Sequence, residues 1–247
     1  TKNRKFIYFS YLLGNAGYTK RTYRQKNTMT LNICWLYPEY MSTYGDRGNV
    51  ICLQKRCLWR NIECKVKTEI KNSDLIFGGG AQDRQQSLIL PELVKNQKVL
   101  EDLLNKNIPG LFVCGAPQLL GRPYLGLFDM ETVFPKDKPR LIGNLITDKF
   151  VGFENHGGRT YLNSVKPFAR VISGFGNNGE DGTEGAFYKN WIATYSHGPL
   201  LPKNPQIADW LIKTALEVKY KKEIQLEPLD DSLENKAHEF IKARYTR

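Results

Sequence analysis

A chain of 247 residues with 41% hydrophobic and 12% aromatic content is long enough to bury a sizeable core and too apolar to be disordered or collagen-like. Its 36 Lys+Arg against 25 Asp+Glu give a formal charge of +11, which alone suggests a polyanion or membrane-surface partner. Seven of those basic residues, Lys2, Arg4, Lys5, Lys20, Arg21, Arg24 and Lys26, fall within residues 1–28, where there is no acid; the rest of the chain is nearly balanced and argues against a general nucleic-acid binder.

Residues 1–28 read as a basic N-terminal extension of doubtful status. The apolar stretch Phe6 to Leu13, followed by small residues, faintly resembles a signal peptide, although an upstream extension or a mis-set start codon is the preferred reading. From Met29 the pattern alternates strand and helix, as expected of an α/β domain with a largely parallel central sheet flanked by helices. A first core strand covers Leu31 to Leu36, and Asp46 is placed to cap a helix with apolar positions Val50, Ile51, Leu53, Cys57 and Leu58. Strands are expected at Ile62 to Val66 and Asp74 to Phe77, the latter ending in Gly78-Gly-Gly80. A long helix follows from about Gln85 to Asn105, and another strand runs from Gly110 to Cys114.

Residues 125–175 change to short strands, Leu141 to Ile146 and Val151 to Glu154 among them, and Gly174 to Gly185 is a glycine- and acid-rich loop. A strand at Trp191 to Tyr195 delivers His197, and Pro205 opens an amphipathic helix through Tyr220. The expected division is therefore 1–28 extension, 29–222 main domain and 223–247 helical tail, the last with His238 on a solvated face. No apolar run approaches the ~20 residues of a membrane-spanning helix. Five cysteines, an odd number without paired spacing, argue against a disulfide framework and for a reducing compartment.

The sharpest chemical feature is Phe112-Val-Cys114-Gly115, an apolar strand ending in a cysteine before a glycine and a helix-compatible segment. Such a turn pushes the thiol above the sheet, and the helix N-terminus favours thiolate. The backbone N–H of Gly115 would then face a developing oxyanion. The same pattern equally fits a buried cysteine closing a core strand. A cysteine nucleophile needs a base. His197, at a strand end where parallel sheets assemble their sites, is the better candidate than His156 or His238. An acid two residues after the histidine is absent, Pro199 standing there, so a Cys114–His197 dyad is expected with no assigned orienting group. Gly78 to Gly80 could supply a second oxyanion donor or be a plain strand-end turn. Neither cysteine spacing nor the acidic loop matches a metal site, and no metal is expected.

Taken in order, Tyr44-Gly-Asp-Arg-Gly-Asn49, Gly78-Gly-Gly-Ala-Gln-Asp83, Cys114-Gly with Gln118-Leu-Leu-Gly121, Val151 to Thr160, Gly176 to Gly185 and His197-Gly-Pro-Leu-Leu201 resemble class I glutamine amidotransferases of the cobyric acid synthase type. The resemblance is strongest to their branch that serves as glutaminase subunits of peptidoglycan-amidating ligases. It implies that Cys114 attacks the side-chain amide of L-glutamine while His197 assists ammonia departure. It also implies that Arg140 grips the glutamine carboxylate, with Gly80, Gln82 and Gly115 as further substrate-binding positions.

The resemblance further implies a heterodimer with a Mur-ligase-like subunit that uses ATP and Mg to activate a carboxylate of lipid II, so no cofactor is expected in this chain. The setting it implies is cytoplasmic, near the inner membrane face. Ala116-Pro117 departs from the family's usual Gly-Tyr, and the segment from Gly121 to Arg140 is shorter than usual. His156 falls in a family segment but reads as loop-shaping. The alternatives are an amidotransferase of cobalamin-type biosynthesis and, from another class, a non-catalytic basic module binding nucleic acid or anionic membrane.

Overall fold

Alternation of apolar strand and helix segments from Thr30 onward builds a layered α/β structure. A computed structural model describes residues 28–246, so the basic extension expected at 1–28 lies outside the described residues apart from Thr28. In chain order the first half contains β1 (Thr30–Leu36), α1 (Arg47–Trp59), β2 (Glu63–Lys67), β3 (Leu75–Gly78), α2 (Asp83–Lys95), α3 (Gln97–Asn105), β4 (Gly110–Val113) and α4 (Gly115–Leu120). The second half adds β5 (Met130–Val133), β6 (Leu141–Thr147), β7 (Val151–His156), β8 (Arg159–Leu162), β9 (Ala169–Ser173), β10 (Thr183–Glu184), β11 (Ala186–Tyr188), β12 (Trp191–Thr194) and β13 (Ser196–His197). Two helices follow, α5 (Pro205–Tyr220) and α6 (Ser232–Tyr245).

The central sheet has the order β11-β12-β4-β3-β1-β2 and is parallel except for the edge pair β11–β12. Three of its four inner strands, β3, β4 and β12, are buried at every residue, as expected of parallel strands covered on both faces. Side chains alternate across it. Leu31, Ile33, Leu111 and Val113 join the core beneath α1 and α5. Cys34, Leu36 and Phe112 join the opposite core with Leu100 and Leu119.

A second, antiparallel sheet with the order β10-β9-β6-β7-β13 and a β5–β8 ribbon occupy the region where the sequence pattern showed only short strands. Their mutual pairing has no local signature. The chain passes from one sheet to the other just after β12: Ser196 and His197 pair with Glu154 and Phe153 of β7. His197 therefore does not sit at the end of a strand of the parallel sheet, as the pattern suggested, but three residues beyond β12 on the second sheet.

The single helix expected over Gln85 to Asn105 is two helices. Pro91 removes one backbone donor from α2, and at Asn96 (φ −91°, ψ 2°) the side chain donates to the Glu92 carbonyl at 2.9 Å, ending that helix. On α1, Ile51 and Leu58 are 44% and 61% exposed, while Asn49 and Arg56 are buried in their place. Asn49 Oδ1 accepts the Leu201 N–H at 2.9 Å. Arg56 donates to Asp209 at 2.6 Å and to Asp231 at 2.5 Å, fastening α5 and the entry to α6 onto α1. Arg60 adds bonds to Asp209 and to the Glu227 carbonyl.

α6 buries no residue fully. His238, expected on a solvated face, is half-buried with Nδ1 3.1 Å from both Lys203 O and Asn204 Oδ1. Among the described residues, no helix is long and apolar enough to cross a membrane.

Candidate active site

β4 ends at Cys114, whose backbone is held at φ 51°, ψ −99°, a region that L-residues rarely occupy. Its N–H is anchored by Thr194 O of β12 at 2.8 Å, so the strained residue is fixed between two strands. The helix α4 begins at once with Gly115, where a Cβ would stand 2.8 Å from both N and O of Ala81. Only glycine lets the turn and the Gly79–Ala81 strand end approach so closely. The Ala116-Pro117 departure is accommodated. Ala116 Cβ lies 2.9 Å from where a Cβ on Gly78 would sit, and Pro117, third in α4, lacks only a first-turn donor.

Cys114 opens onto a cavity of about 280 Å³, whose lining also includes Tyr44, Gln82, Arg140, Asn155 and His156. Cys114, Gln82 and Arg140, three of the residues expected at the site, therefore share one cavity. Gln82 stands at the N-terminus of α2 with its N–H donated to Gln85 Oε1 at 3.0 Å. Lys138, two residues before Arg140 in the chain, pairs instead with Glu180 at 2.6 Å.

His197 is wholly buried and does not line the cavity; the ring of Tyr44 covers it edge-on, centroids 5.1 Å apart. Its Nδ1 lies 3.3 Å from Asp46 Oδ1. Its Nε2 has no hydrogen-bond partner among the described residues, which leaves that nitrogen free for chemistry. Burial is the largest influence and opposes a charged ring, but attraction to the Cys114 sulfur and the bond to Asp46 outweigh it in combination. Together they push the His197 pKa up to about 10. The arrangement stores a proton on an imidazolium beside the sulfur.

Two expectations need correction here. Asp46 makes no side-chain cap at the start of α1; it is the missing orienting group, with Oδ1 toward His197 and Oδ2 accepting the Gly80 N–H at 2.6 Å. The Gly80 amide is therefore committed to Asp46 and not offered to an oxyanion. Gly80 instead leaves room: a Cβ there would stand 2.5 Å from His197 Cε1. The neighbouring Ala81 nitrogen lies close to Gly115 at the start of α4, and its N–H has no protein acceptor among the described residues, so it and the Gly115 N–H are the available donors there. The signal for Asp46 lies in Tyr44-Gly-Asp46, one of the segments that carry the family resemblance.

His156 shapes the site's wall. Its Nδ1 lies 2.8 Å from Gly158 O, its ring stacks on Tyr195 at 3.6 Å, and Nε2 is 3.5 Å from Glu154 Oε2. Glu154 in turn accepts the N–H groups of Phe175 and Gly176, pinning the glycine-rich loop. A buried chain that sequence reasoning missed stiffens the floor: Gln86 donates to Ala81 O and Gln118, and Gln118 donates to the Tyr195 hydroxyl. Glu184, wholly buried, accepts from Thr194 and the Tyr195 N–H. Burial, against the Thr194 bond and with help from Glu154, pushes its carboxyl up to about 7.

The sequence profile of the CobB/CobQ-like glutamine amidotransferase domain matches residues 32–205. Among curated proteins, the chain is 38% identical over 241 residues to the subunit GatD of lipid II isoglutaminyl synthase (glutamine-hydrolyzing) from Staphylococcus aureus, covering 88% of this chain and 97% of that protein. The Streptococcus pneumoniae GatD is 34% identical over 229 residues, covering 82% and 87%. A probable cobyric acid synthase from Methanothermobacter thermautotrophicus is 34% identical over 122 residues, 38% of this chain but 24% of that protein. Among solved structures, PurLQS from Thermotoga maritima superposes with a TM-score of 0.52 at 13% identity, covering 79% of this chain and all of that one, a likeness of fold.

Proposed function

The chain belongs to the CobB/CobQ-like glutamine amidotransferase family, and from that premise we propose that it is the glutamine-hydrolysing subunit of a lipid II isoglutaminyl synthase. The observation that carries this reading is the 38% identity to a GatD subunit across 97% of that protein's length. Support also comes from Cys114 and Arg140 sharing one small cavity, with His197, buried beneath the Tyr44 ring of its wall, held by Asp46. The cobalamin-type alternative rests on cobyric acid synthases of which the chain matches only 24% to 38%. The non-catalytic module falls with family membership.

In this mechanism Arg140 holds the α-carboxylate of L-glutamine, with Gln82 beside it, and the side-chain amide reaches Cys114. The thiolate attacks the amide carbon, and the carbonyl electrons move to oxygen, where the N–H groups of Gly115 and Ala81 stabilise the oxyanion. Collapse breaks the C–N bond as imidazolium His197 gives its proton to the departing nitrogen, releasing ammonia and leaving a thioester. Neutral His197 then takes a proton from water, which attacks the thioester. Glutamate leaves and the ion pair is restored. Asp46 keeps the ring's working nitrogen toward the sulfur and supports its charge.

The ammonia serves a Mur-ligase-like partner in a heterodimer, where ATP and Mg activate the D-glutamate carboxylate of lipid II; this chain itself works without a cofactor. The complex operates in the cytoplasm, near the inner face of the membrane.

The test is ammonia release from L-glutamine by the full chain, with amidation of lipid II by the chain plus its co-purified partner. Cys114→Ala and His197→Ala should abolish both, and His156→Ala should retain measurable hydrolysis. Retained glutaminase activity in Cys114→Ala would overturn the mechanism, and loss in His156→Ala with activity kept in His197→Ala would reverse the base assignment.

A further inference from the structure

At the mouth of the cavity, one asparagine joins two of its walls. Arg140 Nε donates to Asn155 Oδ1 and Arg140 Nη2 to Asn155 O, both at 2.9 Å. The Nδ2 of the same side chain donates to the Tyr44 hydroxyl, also at 2.9 Å. Tyr44 in turn lays its ring edge against His197 at 5.1 Å and against Phe153 at 6.4 Å. It is held at φ 56°, a left-handed conformation that a bulky residue keeps only when its surroundings enforce it. Asn155 is fixed by its place in β7, opposite Ile142 of β6. Arg140, Asn155, Tyr44 and Cys114 all line the cavity.

A guanidinium carries five N–H donors in a rigid fork. With Nε and one Nη2 hydrogen committed to Asn155, the remaining donors lie at the outer end of the fork, the side-by-side pair a carboxylate takes. The Tyr44 oxygen accepts from Asn155, so its own proton is free to point elsewhere. Asn155 cannot follow a movement of Arg140 without pulling on Tyr44, and Tyr44 is the cover of the His197 ring.

We propose that Asn155 is a positioning residue and specificity determinant that couples recognition of a free α-carboxylate at Arg140 to the placement of His197 through Tyr44. Free glutamine is thereby hydrolysed in preference to glutamine whose carboxylate is blocked, and the preference shows in turnover as well as binding. The inference rests on the glutaminase reading above.

The experiment compares L-glutamine with L-glutamine α-amide, in which a neutral carboxamide replaces the carboxylate. It measures kcat and KM for the wild-type full chain, Asn155→Ala and Tyr44→Phe, with folding checked by thermal melts. The wild type should favour glutamine by ~10²-fold or more in kcat/KM, the scale of a lost charge-assisted pair. Asn155→Ala should cut that preference by ~10-fold or more, raising KM and lowering kcat for glutamine while barely changing the α-amide. Tyr44→Phe, which keeps the ring but loses the bond to Asn155, should lower kcat for glutamine with KM nearly unchanged. An equal fall for both substrates in Asn155→Ala, or no change beyond about twofold, would overturn the coupling and leave the glutaminase reading standing. A wild type that releases no ammonia from glutamine would overturn both.

Discussion

Asp46 and His197, 151 positions apart in the chain, meet with Oδ1 3.3 Å from Nδ1, while the other oxygen of Asp46 holds the Gly80 N–H at 2.6 Å. One carboxylate thus holds both the histidine ring and the strand end at Gly80. Asp46→Asn keeps the shape but turns a donor toward one of these partners. We expect kcat for glutamine hydrolysis to fall ~10²- to 10⁴-fold, the range seen when a triad acid is neutralised, with KM changed far less. A variant within threefold of wild type would remove Asp46 from the machinery.

The pH profile carries a second consequence. The His197 ring must be charged to protonate the leaving nitrogen, and its pKa is raised from 6.5 to about 10. The alkaline limb of kcat/KM for ammonia release should therefore lie near that value and not near the ordinary histidine range. In Asp46→Asn one of the interactions that raises it is lost, so the limb should move to lower pH. An unmoved limb would assign the limb to another group.

Gly115→Ala tests the close approach. The added methyl would meet Ala81 N and O at 2.8 Å, forcing apart the two amides assigned to the oxyanion. Loss of one such donor costs ~10²- to 10³-fold in kcat. Activity near wild type would show that neither amide contributes.

Glu184 gives a stability prediction of unusual sign. Its folded-state pKa is raised from 4.5 to about 7, so the native chain holds a proton that the unfolded chain releases across that window. Stability from this group is present below pH 4.5 and is lost as pH rises towards 7, with a slope approaching ~1.4 kcal/mol per pH unit. Urea denaturation of Glu184→Gln between pH 5 and pH 7 should show a flatter loss than wild type. Parallel curves would mean that Glu184 titrates normally.

Arg56→Ala should destabilise the protein by ~3–5 kcal/mol, because Asp209 and Asp231 lose a buried partner at 2.6 and 2.5 Å. The stretch entering α6 should also become more accessible to protease, since Arg56 ties Asp231 to α1. Denaturation midpoints and limited proteolysis measure the two effects separately.

The parallel sheet, the strand–cysteine–glycine turn and the helix from Pro205 to Tyr220 were legible because each is written in local chemistry: continuous apolar strands, glycines at strand ends, and apolar residues at helical spacing. The break at Asn96 was less legible, since a side chain bonding back to Glu92 competes with the helix only once the turn has formed. The antiparallel sheet was legible as strands but not as a sheet, because its register joins residues far apart, such as Leu141 with His156.

The sequence by itself singled out the candidates for the chemistry: Cys114 at the turn, His197 as base and, through the family resemblance, Arg140 for a carboxylate. Only the tertiary structure decided how they are served. It committed the Gly80 amide to Asp46 in place of an oxyanion, moved His197 onto the second sheet, and set Asn155 between Arg140 and Tyr44. Those relations depend on pairings between distant segments, and a hydrogen bond spanning 151 positions leaves no periodicity in the chain that makes it.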